Sequence, residues 1–226
     1  MRSLALVVLA VTVLGGCAQV AETPPDQTTS ATSVQARGAT VDPERIRRIR
    51  PELPEGYEVA DVGGYASSPV AFWGFGRGWT AEPPQCAALV DPAPDGPAIG
   101  VSGSGAGGIV YVVVVTGPPR PQAGLDPVLL GGCGRWSMAY GASTAEVSLL
   151  DAPVIDGAAT VGTAATIRAR VESGNETDSR ADTFMALVDQ YAVFVTLVTD
   201  PGAVDPPLPP QYASDLLVTT VDTLRG

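Results

Sequence analysis

Runs of branched apolar residues in the second half of the chain predict β-strands. Residues 109–116 form an apolar stretch that is shorter than most helices and typical of a strand buried on both faces. Similar runs predict further strands at residues 135–140, 146–150, 165–171, 183–188 and 191–199. The last two flank Asp189 and Gln190, which indicates a two-residue hairpin. The pattern therefore predicts a mostly antiparallel sheet.

Helical signals lie at the edges of the predicted sheet. Asp42, Pro43 and Glu44 have the order of an N-cap, a first-position proline and a first-turn acid, and Pro51 is expected to end this helix. Residues 83–90 predict a second short helix. After residue 210, apolar positions follow helical spacing to the last residue. We therefore expect an α+β fold, with a C-terminal amphipathic helix and short edge helices.

A glycine-rich segment at residues 103–108 matches G-x-G-x-x-G, the dinucleotide-binding pattern. That pattern binds pyrophosphate only where it opens a helix. Here it leads into the strand that begins at Ile109. The sequence therefore predicts a flexible hairpin loop and no nucleotide cofactor.

The first 16 residues have the order of a signal peptide. Arg2 precedes an apolar stretch at residues 4–14, and small residues follow, ending at Gly16. The stretch is shorter than the roughly 20 residues needed to span a membrane. Residues 14–17 resemble the lipobox of bacterial prolipoproteins, which implies cleavage between Gly16 and Cys17 and a diacylglycerol and palmitate anchor on Cys17. The alternative is an ordinary signal peptide with a chance cysteine.

The remaining chain divides into two parts. Residues 17–41 follow the predicted cleavage site and are rich in Thr, Ser, Pro and Gln, which predicts a disordered tether. Residues 42–226 have the size of a single domain. The expected location is the extracytoplasmic face of the bacterial cell membrane, with the membrane as a partner through the lipid anchor.

Composition restricts the chemistry. All 13 basic residues are arginines, no histidine or lysine is present, and the net charge is −11. A Ser-His pair, a Schiff base and a histidine-ligated zinc site cannot be built without those residues. A strongly acidic chain is also repelled by nucleic acid. We therefore expect no nucleic-acid partner, no metal or cofactor and no enzymatic activity, with carboxylate-based hydrolysis as the one open chemistry.

Two cysteines follow Cys17. Cys86 and Cys133 are predicted to form a disulfide, because a signal peptide directs the chain to an oxidising compartment. The alternative is a catalytic or metal-binding pair, although no C-x-x-C motif or histidine accompanies them.

Aromatic residues are concentrated in one glycine-rich segment. Three of them, Tyr65, Trp73 and Trp79, are candidates for contact with a ligand. Aromatic side chains on such a segment can form the wall of a ligand groove for a sugar or a lipid. The alternative, which we favour from sequence, is that they fill the core.

Several separated blocks resemble a mycobacterial lipoprotein family known only as a domain of unknown function. They are residues 78–89, 150–160, 198–202 and 224–226. The chain more distantly resembles the extracellular sensor domain of mycobacterial serine/threonine kinases, a resemblance that implies a ligand cleft. Those sensor domains carry two disulfides, whereas this chain has cysteines for one.

These observations lead to three hypotheses of decreasing rank. The first is a lipid-anchored, non-enzymatic binding or sensor-like module for an unknown small molecule, lipid or envelope protein. The second is a structural or accessory protein that acts through protein contacts in the envelope. The third is a carboxylate-based hydrolase, which needs two acidic side chains within catalytic reach.

Overall fold

Nine strands account for most of the regular structure in the part of the chain that the structure describes. They are β1 (Glu58–Gly64), β2 (Thr80–Glu82), β3 (Ala98–Gly105), β4 (Gly108–Thr116), β5 (Arg135–Tyr140), β6 (Ser143–Leu150), β7 (Ala159–Arg170), β8 (Glu176–Val188) and β9 (Tyr191–Thr199). All neighbours pair antiparallel in one sheet, in the order β1-β3-β4-β9-β8-β7-β6-β5-β2. This computed structural model describes residues 40–64, 67–91, 96–117, 126–170, 174–200 and 202–226.

Five helices accompany the sheet in the described residues. The 3-10 helices are η1 (Pro43–Glu52) and η2 (Pro84–Leu89), and the α-helices are α1 (Pro69–Phe72), α2 (Pro127–Gly132) and α3 (Pro210–Arg225). None of the helices in these ranges is both long and apolar enough to cross a bilayer.

One face of the sheet is covered by η1 and α3. Leu217 of α3 and Ile46 of η1 are completely buried against Val112 of β4 and Val195 of β9. The backbone N–H of Asp42 donates to the carbonyl oxygen of Leu224 at 2.9 Å, which joins the start of η1 to the end of α3. The apolar stripe predicted for the C-terminal helix is therefore the surface that packs on the sheet.

The opposite face carries a second core, formed under residues 67–91 and α2. Val113 and Phe194, from β4 and β9, are fully buried there beside Trp73 and Trp136. The central strands are thus buried on both faces, which explains why their sequences are continuously apolar rather than alternating.

The helical layer covers only part of its face. Helix α3 packs on β4, β8 and β9. On the same face beyond β8, the side chains of Arg135, Glu146 and Thr166 are exposed, whereas their chain neighbours Trp136 and Val147 are buried on the other face. This alternation is typical of antiparallel strands with one solvated face.

The fold class expected from the sequence is confirmed, including the C-terminal helix and the Asp189-Gln190 hairpin between β8 and β9. The disulfide is confirmed as well, with the Cys86 and Cys133 sulfur atoms 2.03 Å apart and both residues fully buried. It joins η2 to the residue that follows α2.

Two local predictions were wrong. Pro51 does not end the first helix, because η1 is a 3-10 helix that continues to Glu52. The segment from Gly103 to Gly105 is not a loop but the end of β3, and only residues 106 and 107 form the turn. The glycines are needed for close packing, since a Cβ atom on Gly105 would lie 2.4 Å from Cδ1 of Tyr57.

Candidate functional site

A cavity of about 730 Å³ opens on the sheet face opposite α3, and the described residues that line it all lie between Ser67 and Asp91. We call it the groove. Three smaller cavities among the described residues measure about 120–150 Å³. The lining residues that carry binding chemistry are Ser68, Phe75, Arg77, Trp79, Thr80 and Asp91.

A five-residue loop between Gly74 and Gly78 forms one wall of the groove. Both glycines have positive φ, +86° and +90°, a region that other residues rarely adopt. Between them, Phe75 is buried and its backbone N–H donates to the carbonyl oxygen of Val70 at 3.1 Å. The loop is therefore fixed near its start at Phe75, and Arg77, two residues further on, lies at the surface.

Tyr140, at the end of β5, supports this loop from the side. Its ring lies 6.1 Å from the ring of Phe75, and a Cβ atom on Gly76 would come within 2.3 Å of its hydroxyl oxygen. Strand β2 continues from the loop and pairs with β5, Thr80 opposite Ala139. The wall of the groove is thus attached to the edge of the sheet.

The groove combines an aromatic surface with polar groups. Trp79 is partly exposed, and Arg77 is exposed and forms no ion pair with any described residue. The hydroxyl oxygen of Ser68 is buried and has no hydrogen-bond partner among the described residues. A buried hydroxyl left without a partner costs free energy, so a ligand that supplies one is favoured there.

The structure separates the aromatic residues singled out from the sequence. Trp73 lies in the core, 4% exposed, and its indole Nε1 donates to Thr183 Oγ1. Trp79 lines the groove. Tyr65, like Gly16 and Cys17, lies outside the described residues, so predictions for these three remain predictions.

Sequence reasoning missed the polar half of the groove. Ser68, Arg77 and Thr80 belong to no motif and come together only because the segment folds back on itself. The available signal was the pair of glycines at positions 74 and 78, which bracket Arg77 and precede Trp79. Among the described residues, no group of three or more Cys, Asp or Glu side chains is arranged to hold a metal ion.

Comparison with protein families gives a match over residues 42–225 to the family described as Domain of unknown function (DUF5642). The chain belongs to this family. The resemblance identified from the separated sequence blocks is thereby confirmed. No curated protein matches the sequence.

Two solved mycobacterial structures are similar to this DUF5642 chain. The X-ray structure of an uncharacterized Mycobacterium smegmatis protein, the Rv0999 ortholog, has 22% identity and a TM-score of 0.61, covering 82% of this chain and 98% of that one. The extracellular domain of PknH from Mycobacterium tuberculosis has 13% identity and a TM-score of 0.47, covering 83% and 98%. The first likeness shows a shared fold.

Proposed function

We propose that this chain is a binding module of the cell envelope and that its groove holds a small molecule without transforming it. The observation that carries the proposal is the groove itself. Its volume of about 730 Å³ lies within the roughly 300–1,000 Å³ typical of small-molecule sites. An aromatic wall with a few polar groups is also the usual composition of such sites.

The lining groups favour a particular ligand chemistry. The partly exposed indole of Trp79 suits a ring with one apolar face. The hydroxyls of Ser68 and Thr80 suit a ligand that carries hydroxyl groups of its own. The Arg77 guanidinium, with five donors, suits an anionic substituent. A sugar ring that bears a carboxylate or a phosphate combines these properties.

The described lining residues supply binding groups rather than an acid–base pair. Asp91 is the one carboxylate among them. Glycoside hydrolysis commonly uses two carboxyl groups about 5–10 Å apart. Binding without hydrolysis is therefore the function that these residues support best.

Two features support an envelope location. The lipobox-like residues 14–17 end a stretch with the order of a signal peptide. The Cys86–Cys133 disulfide is of a kind that persists outside the reducing cytosol. In this proposal the acylated Cys17 holds the domain at the membrane.

Binding can be tested on the full chain purified in detergent. Neutral sugars, uronic acids, sugar phosphates and lipid headgroups are titrated while tryptophan fluorescence and thermal stability are recorded. We expect an acidic sugar to change the fluorescence and raise the Tm. Trp79→Ala and Arg77→Gln should each weaken binding about tenfold or more.

The matched control is Arg48→Gln, because Arg48 is also exposed but lies in η1 on the other side of the sheet. If the Arg77 and Arg48 variants bind the ligand with equal affinity, the groove is not the binding site. If no compound binds and crosslinking in cells captures protein partners instead, the accessory-protein hypothesis replaces it.

A further inference from the structure

A second, smaller pocket lies on the part of the sheet that α3 leaves uncovered. Its volume is about 140 Å³. We call it the charged pocket. The side chains that define it come from four adjacent strands, β5 to β8, and belong to Arg135, Glu146, Ser148, Ala164, Thr166 and Arg180.

Cross-strand register explains why these side chains converge. Across the sheet, Arg135 of β5 lies beside Ser148 of β6, and Ser148 lies beside Ala164 of β7. Two small side chains are therefore next to the arginine in this row. In the next row, Thr166 of β7 lies between Glu146 and Arg180. Residues in register on one face point the same way, so the small side chains form the floor and the charged ones the rim.

Arg180 is held in place by a buried acid. Its Nε and Nη2 atoms donate to the two carboxylate oxygens of Asp182 at 3.0 and 2.8 Å, and Asp182 is only 2% exposed. The hydrogen bond to Asp182 raises the pKa of the Arg180 guanidinium. A two-bond contact fixes the plane of the guanidinium, so this side of the rim is preorganised.

The other two charged side chains on the rim, within the described residues, have no ion-pair partner. Arg135 and Glu146 are both exposed, and neither forms an ion pair with a described residue. Elsewhere on the same face, Arg168 pairs with Asp178 at 3.1 Å. One positive and one negative group thus remain available around a single small pocket.

The charges in and under the pocket balance. Arg135 and Arg180 are offset by Glu146 and Asp182, so a simple anion gains little net attraction, whereas a neutral molecule with separated charges matches both signs. The volume of about 140 Å³ also limits the occupant to a small molecule. A small zwitterion meets both conditions.

We propose that the charged pocket binds a small zwitterionic α-amino acid. Its carboxylate is bound between the guanidinium groups of Arg135 and Arg180, which are suited to planar oxyanions. Its ammonium group faces Glu146, and the hydroxyls of Ser148 and Thr166 supply further hydrogen bonds. This site is independent of the groove, which lies on the opposite face and contains none of these residues.

Isothermal titration calorimetry of the full chain in detergent tests the inference. Glycine, L-alanine and L-serine are the zwitterionic probes, acetate and sulfate test for an anion site, and methylamine tests for a cation site. We expect the amino acids alone to bind at millimolar concentration. Arg135→Gln and Glu146→Gln should each weaken that binding about tenfold.

Arg168→Gln is the matched control, because Arg168 lies on the same face of β7 but does not line the pocket. It should bind as the wild type does. Absence of amino-acid binding, acetate binding as tight as glycine binding, or retained affinity in both pocket variants would each overturn the inference. Arg77 and Trp79 variants should leave this binding unchanged, so its failure is distinguishable from failure of the groove proposal.

Discussion

Trp73 and Thr183 are joined by a buried hydrogen bond, with the indole Nε1 of Trp73 3.3 Å from Oγ1 of Thr183. Thr183 Oγ1 also lies 3.0 Å from Thr196 Oγ1, so a short polar chain crosses β8 and β9 beneath the groove segment. Trp73 directly follows α1 and directly precedes the loop from Gly74 to Gly78 that carries Arg77. This contact therefore anchors the groove segment to the centre of the sheet.

Replacement of Trp73 should affect stability, whereas replacement of Trp79 should not. Trp73→Phe removes buried volume and the hydrogen bond to Thr183, which we expect to cost about 1–3 kcal/mol of unfolding free energy. Trp79→Phe, at a partly exposed position, should change it by less than about 0.5 kcal/mol. Urea unfolding followed by circular dichroism measures both, and equal losses would contradict the assignment of Trp73 to the core and Trp79 to the groove.

The disulfide should contribute to the stability of the groove as well as of the chain. Cys86 lies in η2, which also supplies the groove residues Pro84 and Ala87. Cys86 and Cys133 are 47 positions apart, and opening such a loop costs up to about 4 kcal/mol in the chain-entropy model.

We therefore expect the Cys86→Ala/Cys133→Ala double variant to unfold at lower urea concentration and to lose groove binding before it loses the far-UV signal of the sheet. The wild-type chain with and without a reducing agent provides the comparison. An unchanged urea midpoint after verified reduction would show that the bridge adds nothing to stability.

The sequence predicted the elements in which the pattern of apolar residues is clear and extends over many positions. Strand β4 and helix α3 are of this kind, because their buried residues follow the pattern of a two-sided strand and of a helix stripe. Strand β1 was not predicted. Its residues, Glu58–Gly64, are mostly exposed and acquire strand structure by pairing with β3, a contact between segments about 40 residues apart.

The groove could be predicted only in part. In a glycine-rich segment the apolar residues do not repeat at regular intervals, so the sequence does not show which side chains are buried. Trp73 and Trp79 are similar in sequence context, and their different burial follows from the turn at Gly74. The charged pocket was not predicted either. Arg135 and Arg180 lie on β5 and β8, and they converge only through the strand order of the folded sheet.

Glycines within strands should differ sharply in their tolerance of a side chain. In Gly105→Ala the new methyl group meets the ring of Tyr57, whose hydroxyl accepts a hydrogen bond from the backbone N–H of Gly107. We expect a loss of about 1–3 kcal/mol from this overpacking. Gly63→Ala, in β1, is the matched control, because no atom lies within 4 Å of the place that its methyl group would take. Comparable Tm values for the two variants would contradict the tight Tyr57 contact.

Stability should fall between pH 10 and pH 12 because of Tyr212. Burial, with smaller contributions from Tyr57 and Glu52, raises the pKa of Tyr212 from 10.0 to about 12, and its hydroxyl donates to the carbonyl oxygen of Glu52 at 2.9 Å. A raised pKa means that the folded state favours the neutral phenol, so this stabilisation is complete below pH 10 and is lost as the pH rises through 12.

The expected size of the effect is about 1 kcal/mol, since two pKa units correspond to about 2.7 kcal/mol and solvent screening at this half-buried ring reduces that value. The chain has no lysine, so no lysine ammonium group loses its charge in this range. Urea unfolding at several pH values from 9 to 12 measures the loss. In Tyr212→Phe the dependence on pH should be weaker, and the part that remains is assigned to Tyr111, whose pKa burial also raises. The same slope in the variant and the wild type would assign the effect to another group.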